Sequence, residues 1–152
     1  MRIKMNNYKI AIVQSRFNPE ITDSLSSACI EKLKQHGVHE DNINLFYVPG
    51  AVELPLASKL LAKKKDVDAI VCIGAVIKGD TDHYQYVCEQ VNYGCQKVAL
   101  EQEIPVIFGV LTVPTYELAL ARAGDDLSLN KGVECADAAV EMLKFIKEIE
   151  AA

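Results

Sequence analysis

The stretch Gly74-Ala-Val-Ile-Lys-Gly-Asp-Thr-Asp-His-Tyr-Gln-Tyr-Val87 passes from an apolar segment, through a polar turn, into a helical pattern. The β-branched run from Ala69 to Ile77 predicts a buried strand, and the six residues from Lys78 to His83 predict a tight loop that opens a helix. Backbone N–H groups in the first turn of a helix have no partner within it, so this junction is suited to binding an anion. His83 adds a titratable imidazole beside it.

The rest of the chain repeats this alternation of strand and helix. Apolar runs predict strands at 8–15, 43–48, 67–77 and 105–112. Helical spacing predicts a first helix from Thr22 or Asp23 to Gly37, and further helices at 53–64, from His83 to at least Val98, at 116–123 and at 133–149. Asp82 and Gln85 resemble a capping box, which predicts that the third helix begins at His83.

Strands that alternate with helices form a parallel sheet joined by right-handed crossovers, with helices on both faces. We therefore predict one α/β domain over residues 1–152. Its architecture is expected to be a three-layer α/β/α sandwich with a four-stranded, mainly parallel sheet, in a flavodoxin-like arrangement. The last helix carries more apolar surface than one sheet face buries, because Met142, Phe145 and Ile149 form a second stripe.

Composition excludes several classes of partner. The net charge of −5 and the lack of a Lys/Arg block argue against nucleic acid. No apolar run approaches the roughly 20 residues that cross a membrane, and the first seven residues lack the apolar core of a signal peptide. Five cysteines without a CxxC pair predict reduced, buried thiols in a cytoplasmic protein.

Ligands of such folds bind beyond the carboxyl ends of the strands, so the residues placed there are the site candidates. They combine an aromatic plate, an acidic acceptor, an anion-binding turn with an imidazole, and a second aromatic ring just before the fourth strand ends. These features predict a site for a planar polar ligand and a phosphate. The four segments are Arg16-Phe17-Asn18, Pro49 to Glu53, Lys78 to His83, and Phe108-Gly109.

Each candidate also has a purely structural interpretation. Phe17 could be a loop residue that packs on the domain, Phe108 could belong to the core, and Glu53 could be a first-turn acid favoured by the helix dipole. His83 could be a structural first-turn residue, and Arg122 could face solvent. Other classes of site lack their motifs: there is no GxGxxG, P-loop or GxSxG, no Ser/Thr-rich phosphate loop after the first strand, and no metal-ligand spacing.

Taken together and in order, these segments resemble the 6,7-dimethyl-8-ribityllumazine synthase family of riboflavin biosynthesis, from Lys9 to the last helix. Any one segment is weakly specific, but the set at this spacing is highly specific. It comprises Arg16-Phe17-Asn18, Val48-Pro-Gly-Ala-Val-Glu-Leu-Pro55, Gly74 to Tyr84, Phe108-Gly-Val-Leu-Thr112, Arg122-Ala-Gly124 and Asn130-Lys-Gly132.

The resemblance implies a transferase that condenses 5-amino-6-(D-ribitylamino)uracil with 3,4-dihydroxy-2-butanone 4-phosphate. The products are 6,7-dimethyl-8-ribityllumazine, phosphate and water, and no cofactor or metal is expected. It also implies a homo-oligomer built from pentamers, with sites between subunits, and raises a riboflavin synthase as a partner protein. The alternative is a non-catalytic oligomer that binds a lumazine or flavin on the same fold.

The resemblance also assigns roles to residues. His83 is expected to transfer protons, Phe17 to stack on the pyrimidine, and Phe108 to come from the adjacent subunit. The ribitylaminouracil is expected to bind residues Ala51, Val52, Glu53, Ala75, Val76 and Ile77. The butanone phosphate is expected to bind Asp80, Thr81 and Arg122, with Lys131 nearby.

Some positions depart from the commonest family form. Lys78 replaces an Arg and so loses the bidentate fork, Val52 stands where an aromatic is common, and Asp80 puts a carboxylate beside the phosphate site. The loop from Gly124 to Asn130 is one residue longer than the pattern associated with sixty-subunit capsids and lacks its sequence. The loop therefore favours free pentamers or decamers over a capsid.

Overall fold

A computed structural model describes residues 3–152; Met1 and Arg2, which begin the segment predicted to lack a signal peptide, lie outside them. Four strands form one parallel sheet in the order β2-β1-β3-β4. The strands are β1 (Ile10–Ser15), β2 (Ile43–Val48), β3 (Ala69–Ile77) and β4 (Val106–Val113). The helices are α1 (Pro19–Gln35), α2 (Leu54–Lys63), α3 (His83–Gln102), α4 (Tyr116–Ala121) and α5 (Lys131–Ala151).

Helices cover both faces of this sheet, as predicted. α1 and α5 pack together over one face, where Ile12, Leu25 and Ala136 belong to one buried cluster. α2 and α3 cover the other face, where Val13, Leu54 and Val91 belong to a second. The α/β class and the three layers are thus confirmed, and the sheet is parallel throughout.

The central strands are apolar because both of their faces are covered. Every residue of β1 is buried, and β3 is buried from Ala69 to Ala75. A strand covered on both faces reads as a continuous β-branched run without polar alternation, which is why the sequence located these two strands well.

The start of α1 and the predicted cap of α3 differ from the sequence prediction. α1 begins at Pro19, not near Thr22 or Asp23, because Asn18 adopts a left-handed conformation (φ 57°) and its carbonyl accepts from the amides of Ile21 and Thr22. α3 begins at His83 as predicted, but the capping box is wrong. Asp82 is itself in a helical conformation and its side chain caps nothing, while the Gln85 side chain donates to Glu89.

The last helix confirms the predicted excess of apolar surface in a single chain. Ala136, Ala139, Val140 and Leu143 are buried on one stripe, whereas Met142, Phe145 and Ile149 are 40–57% exposed on the other. Across residues 3–152, no helix combines the length and the apolar character needed to cross a membrane.

The start of α5 is packed so closely against α1 that it requires glycine at position 132. A Cβ there would lie 2.0 Å from the Leu25 carbonyl oxygen, whereas a Cβ at Gly79 would meet no atom within 4 Å. Helical Gly→Ala changes ordinarily stabilise by about 0.5–1 kcal/mol. We expect Gly132→Ala instead to destabilise by about 3 kcal/mol through overpacking, with Gly79→Ala near neutral. Urea unfolding of both variants measures this, and equal stabilities would contradict the packing described.

The cysteines provide a second test of the core. Cys29, Cys72, Cys95 and Cys135 are buried, and Cys88 is half-buried. Burial raises the pKa of the Cys29 thiol and raises that of Cys135 to about 12, so little thiolate is available at neutral pH. At about pH 8 we expect a thiol-specific disulfide reagent to label at most Cys88 in the native protein. All five should react in denaturant, and Cys88→Ser should remove any native reaction; rapid native labelling of several thiols would contradict this.

Candidate active site

The carboxyl ends of the strands are held side by side by contacts that continue beyond the sheet. The Arg16 amide donates to the Val48 carbonyl over 3.0 Å, and the Lys78 amide donates to the Val113 carbonyl over 3.0 Å. The Asn18 side-chain amide donates to the Ala75 carbonyl over 3.1 Å, which ties the loop after β1 to the end of β3. The segments after β1, β2 and β3 therefore form one continuous edge, as the parallel topology predicts.

Phe17 presents its ring at this edge. The side chain is 68% exposed, and its ring lies 3.2 Å from the position that a Cβ would take at Gly50. Glu53 Oε1 lies 3.8 Å from the same position. Phe17 and Glu53 thus lie together beside Gly50, with most of the Phe17 side chain exposed.

Glu53 carries an unused hydrogen-bond acceptor. Its Oε2 is buried and has no hydrogen-bond partner within residues 3–152. Buried carboxylate oxygens ordinarily have partners, so an unpaired one next to an open edge is available to a ligand hydroxyl or amide. Of its neighbours, Ala51 is buried, whereas Val52 is 40% exposed.

The end of β3 exposes backbone groups on one side. β1 pairs with β3 only as far as Ile73, whereas β4 pairs with β3 through to Ile77. Beyond Ile73, residues 75–77 face the β1 side without a ladder partner there, and the Asn18 side chain uses the Ala75 carbonyl. A planar ligand on this side can form hydrogen bonds with peptide N–H and C=O groups at this end of β3, in the way that an added strand would.

The loop after β3 is open to solvent. Lys78, Asp80, Thr81 and His83 are all exposed. The Thr81 hydroxyl accepts from the His83 amide over 3.3 Å, and within residues 3–152 the amides of Asp80 and Thr81 donate to no backbone carbonyl. These amides stand just before the N-terminus of α3, where partial positive charge favours an anion.

Tyr84 follows His83 in the first turn of α3 and is half-buried, whereas His83 is exposed. Burial raises the pKa of the Tyr84 phenol, with Cys88 adding to the shift while Thr112, near the end of β4, opposes it.

Phe108 does not lie at this edge. It pairs with Cys72 as the third residue of β4, and it packs against the cluster beneath α2 and α3. Val113, which ends the strand, is five residues further on, a rise of about 16 Å. The prediction that Phe108 stands just before its strand ends is wrong, because β4 continues for five residues after it, paired with β3 up to Val113.

Arg122 and Lys131 lie close together on the face of the sheet that α1 and α5 cover, opposite the face covered by α2 and α3. Arg122 follows α4 and Lys131 begins α5, and both contact Glu134, at 3.1 Å from Nη2 to Oε2 and 3.0 Å from Nζ to Oε1. α5 packs with α1, whereas His83 begins a helix that packs with α2. Sequence reasoning missed Glu134, although its position three residues after Lys131 is a recognisable helical ion-pair spacing.

The chain is similar to known proteins over almost its whole length. A model of the 6,7-dimethyl-8-ribityllumazine synthase family matches residues 7–147. Three relatives, the 6,7-dimethyl-8-ribityllumazine synthases of Coxiella burnetii strains CbuG_Q212, RSA 493 / Nine Mile phase I and Dugway 5J108-111, are each 54% identical over 145 residues. The alignments cover 95% of this chain and 95% of each relative. The chain therefore belongs to the 6,7-dimethyl-8-ribityllumazine synthase family.

Proposed function

We propose that the chain condenses 5-amino-6-(D-ribitylamino)uracil with 3,4-dihydroxy-2-butanone 4-phosphate, at the edge that carries Phe17, Glu53 and His83. The products are 6,7-dimethyl-8-ribityllumazine, phosphate and water, and the reaction serves riboflavin biosynthesis. The observation that carries the proposal is the family match over residues 7–147. Both substrates are small molecules, and the enzyme is a transferase.

The pyrimidine is assigned to the exposed ring of Phe17. Stacking on an aromatic side chain is favourable for any flat base. The Glu53 carboxylate lies beside the same Gly50 as the Phe17 ring, and its unpaired Oε2 is assigned to accept from a ribityl hydroxyl. Ala51 and Val52 flank this acceptor. Ala75, Val76 and Ile77 supply backbone groups to the polar edge of the ring, where β3 has lost its ladder partner.

The phosphate is assigned to the amides of Asp80 and Thr81 together with Arg122 and Lys131. A guanidinium and helix-start amides stabilise a leaving phosphate because both donate charge-assisted hydrogen bonds. Asp80 takes part through its backbone, with its exposed carboxylate turned to solvent. The loop and the two cations belong to different helical layers of one chain, which favours a site shared between two subunits.

A site shared between neighbouring subunits implies an assembly in which each subunit contacts the next in the same way. The loop subunit contributes Phe17, Glu53 and His83, and its neighbour contributes Phe108, Arg122 and Lys131. A cyclic pentamer repeats this heterologous contact until the ring closes. We further propose that the protein acts in the cytoplasm, as free pentamers or decamers rather than as a capsid, with riboflavin synthase as the protein that consumes its product.

Catalysis then consists chiefly of orientation and proton transfer. The 5-amino group attacks the ketone and water leaves to give an imine, phosphate is then eliminated, and the ribitylamino nitrogen closes the ring on the remaining carbonyl with loss of a second water. Holding two reactants in register can lower a barrier by about 7–11 kcal/mol. His83, in the first turn of α3 at this edge, takes a proton as a base and then returns it.

Replacement of His83 tests this assignment. We expect His83→Ala to lower kcat by about 100-fold with both substrates saturating, because proton transfer falls to solvent. The control is His39→Ala, which removes an exposed imidazole just before the amino end of β2, opposite the carboxyl edge of the sheet. Lumazine formation is followed by its absorbance. Full turnover by His83→Ala would remove the proton-transfer role, and ligand binding without turnover by the native chain would favour the non-catalytic alternative.

Mixing of subunits tests the shared site. His83→Ala and Arg122→Ala are each expected to be nearly inactive as pure oligomers. After joint unfolding and refolding at equal amounts, about a quarter of the sites in a ring should pair an intact loop with an intact Arg122. Activity should therefore rise well above that of either parent, and native mass measurement on the same sample gives the subunit number. No gain in activity would place Arg122 in the same subunit's site.

A further inference from the structure

Glu134 is the one acid that contacts both cations assigned to the phosphate, within the part of the chain that the structure describes. Arg122 Nη2 reaches Oε2 at 3.1 Å and Lys131 Nζ reaches Oε1 at 3.0 Å, so each carboxylate oxygen holds one cation. The three side chains come from the end of α4 and the first turn of α5. They form a charge cluster with one net positive charge.

The backbone beneath this cluster is fixed independently of it. The Lys131 amide donates to the Arg122 carbonyl over 2.8 Å, which closes the loop between the two helices. Asn130 is buried, and its side chain accepts from the Gly132 amide at 2.8 Å and donates to the Gly124 carbonyl at 3.0 Å. The Cα positions of Arg122 and Lys131 are thereby set without Glu134.

The side-chain directions are not set in the same way. Arg122 and Lys131 remain 45% and 24% exposed, and long cationic side chains lose considerable freedom when they are ordered. Their like charges also repel one another. A carboxylate placed between them removes that repulsion and holds both tips in one place before a ligand arrives.

The contact leaves room for a ligand. It uses one terminal nitrogen of the guanidinium, whose five N–H donors can serve two anions at once on different edges. A phosphate can therefore engage the remaining donors while Glu134 stays in place.

We infer that Glu134 is a positioning residue that holds Arg122 and Lys131 ready for the phosphate of the second substrate. The inference rests on the proposed function, because that function assigns the phosphate to these cations. Glu134 itself touches no reacting atom. Its effect should appear in the binding of the phosphate-bearing substrate and of free phosphate, and not in the binding of the pyrimidine.

The test compares Glu134→Ala and Glu134→Gln with Glu141→Ala, which removes an exposed acid further along α5. For both Glu134 variants we expect the KM for the butanone phosphate to rise about fivefold, as befits an exposed ion pair. The inhibition constant of inorganic phosphate should rise by the same factor. The KM for the ribitylaminouracil should stay within about twofold, and Glu141→Ala should change none of these values.

Several outcomes would overturn the inference. Tighter phosphate binding in Glu134→Ala would make the carboxylate a competitor of phosphate, and equal shifts in both KM values would make it a general structural residue. If Glu134→Ala fails to fold, Glu134→Gln, which keeps the volume of the side chain, decides alone. Arg122→Ala distinguishes failure of the proposed phosphate site from failure of the role assigned to Glu134. No change in phosphate binding there would remove the proposed phosphate site itself, whereas a large change there with none at Glu134 would remove only this inference.

Discussion

Burial of β3 on both faces is the constraint on which the rest of the structure depends. β3 runs between β1 and β4, and helices cover it above and below from Ala69 to Ala75. After a strand in this position, the chain leaves the sheet at the carboxyl edge and begins the next helix there. The loop from Lys78 to Asp82 and the imidazole of His83 stand at that edge for this reason. The Asn18–Ala75 contact then draws the loop after β1, with Phe17, to the same place.

Much of this arrangement could be predicted because it follows from local composition. Strands covered on both faces, such as β1 and β3, are continuous β-branched runs. Both ends of the edge strand β2 and the first residue of α3 were also predicted at the correct residue. The start of α1 could not be predicted, since it depends on a left-handed Asn18 that no periodicity reveals. The cap of α3 could not be predicted for a related reason. Asp82 and Gln85 are the residue types of a capping box, but the backbone of Asp82 is already helical, and the Thr81 hydroxyl accepts from the His83 amide instead.

In the candidate site, too, some residues could be placed from the sequence and others could not. Phe17, Glu53 and His83 could be grouped from sequence because each follows a strand of a parallel sheet. Phe108 was misplaced because its level depends on the register of β4 against β3, which places it opposite Cys72. The spacing of Glu134 from Lys131 was visible in the sequence, but its contact with Arg122, which follows α4, was not, because contacts between separate elements have no fixed spacing. The roles of all these residues come from family resemblance, which supplies the chemistry that the spacing alone leaves open.

The second apolar stripe of α5 links folding to mass action. Met142, Phe145 and Ile149 expose hydrocarbon in a single chain, and its removal from water contributes roughly 25 cal/mol per Å². Any association that covers this stripe stabilises the folded chain by an amount that grows with protein concentration. Dilution of such a protein dissociates the subunits and thereby destabilises the fold. Its melting temperature therefore falls as the protein concentration falls.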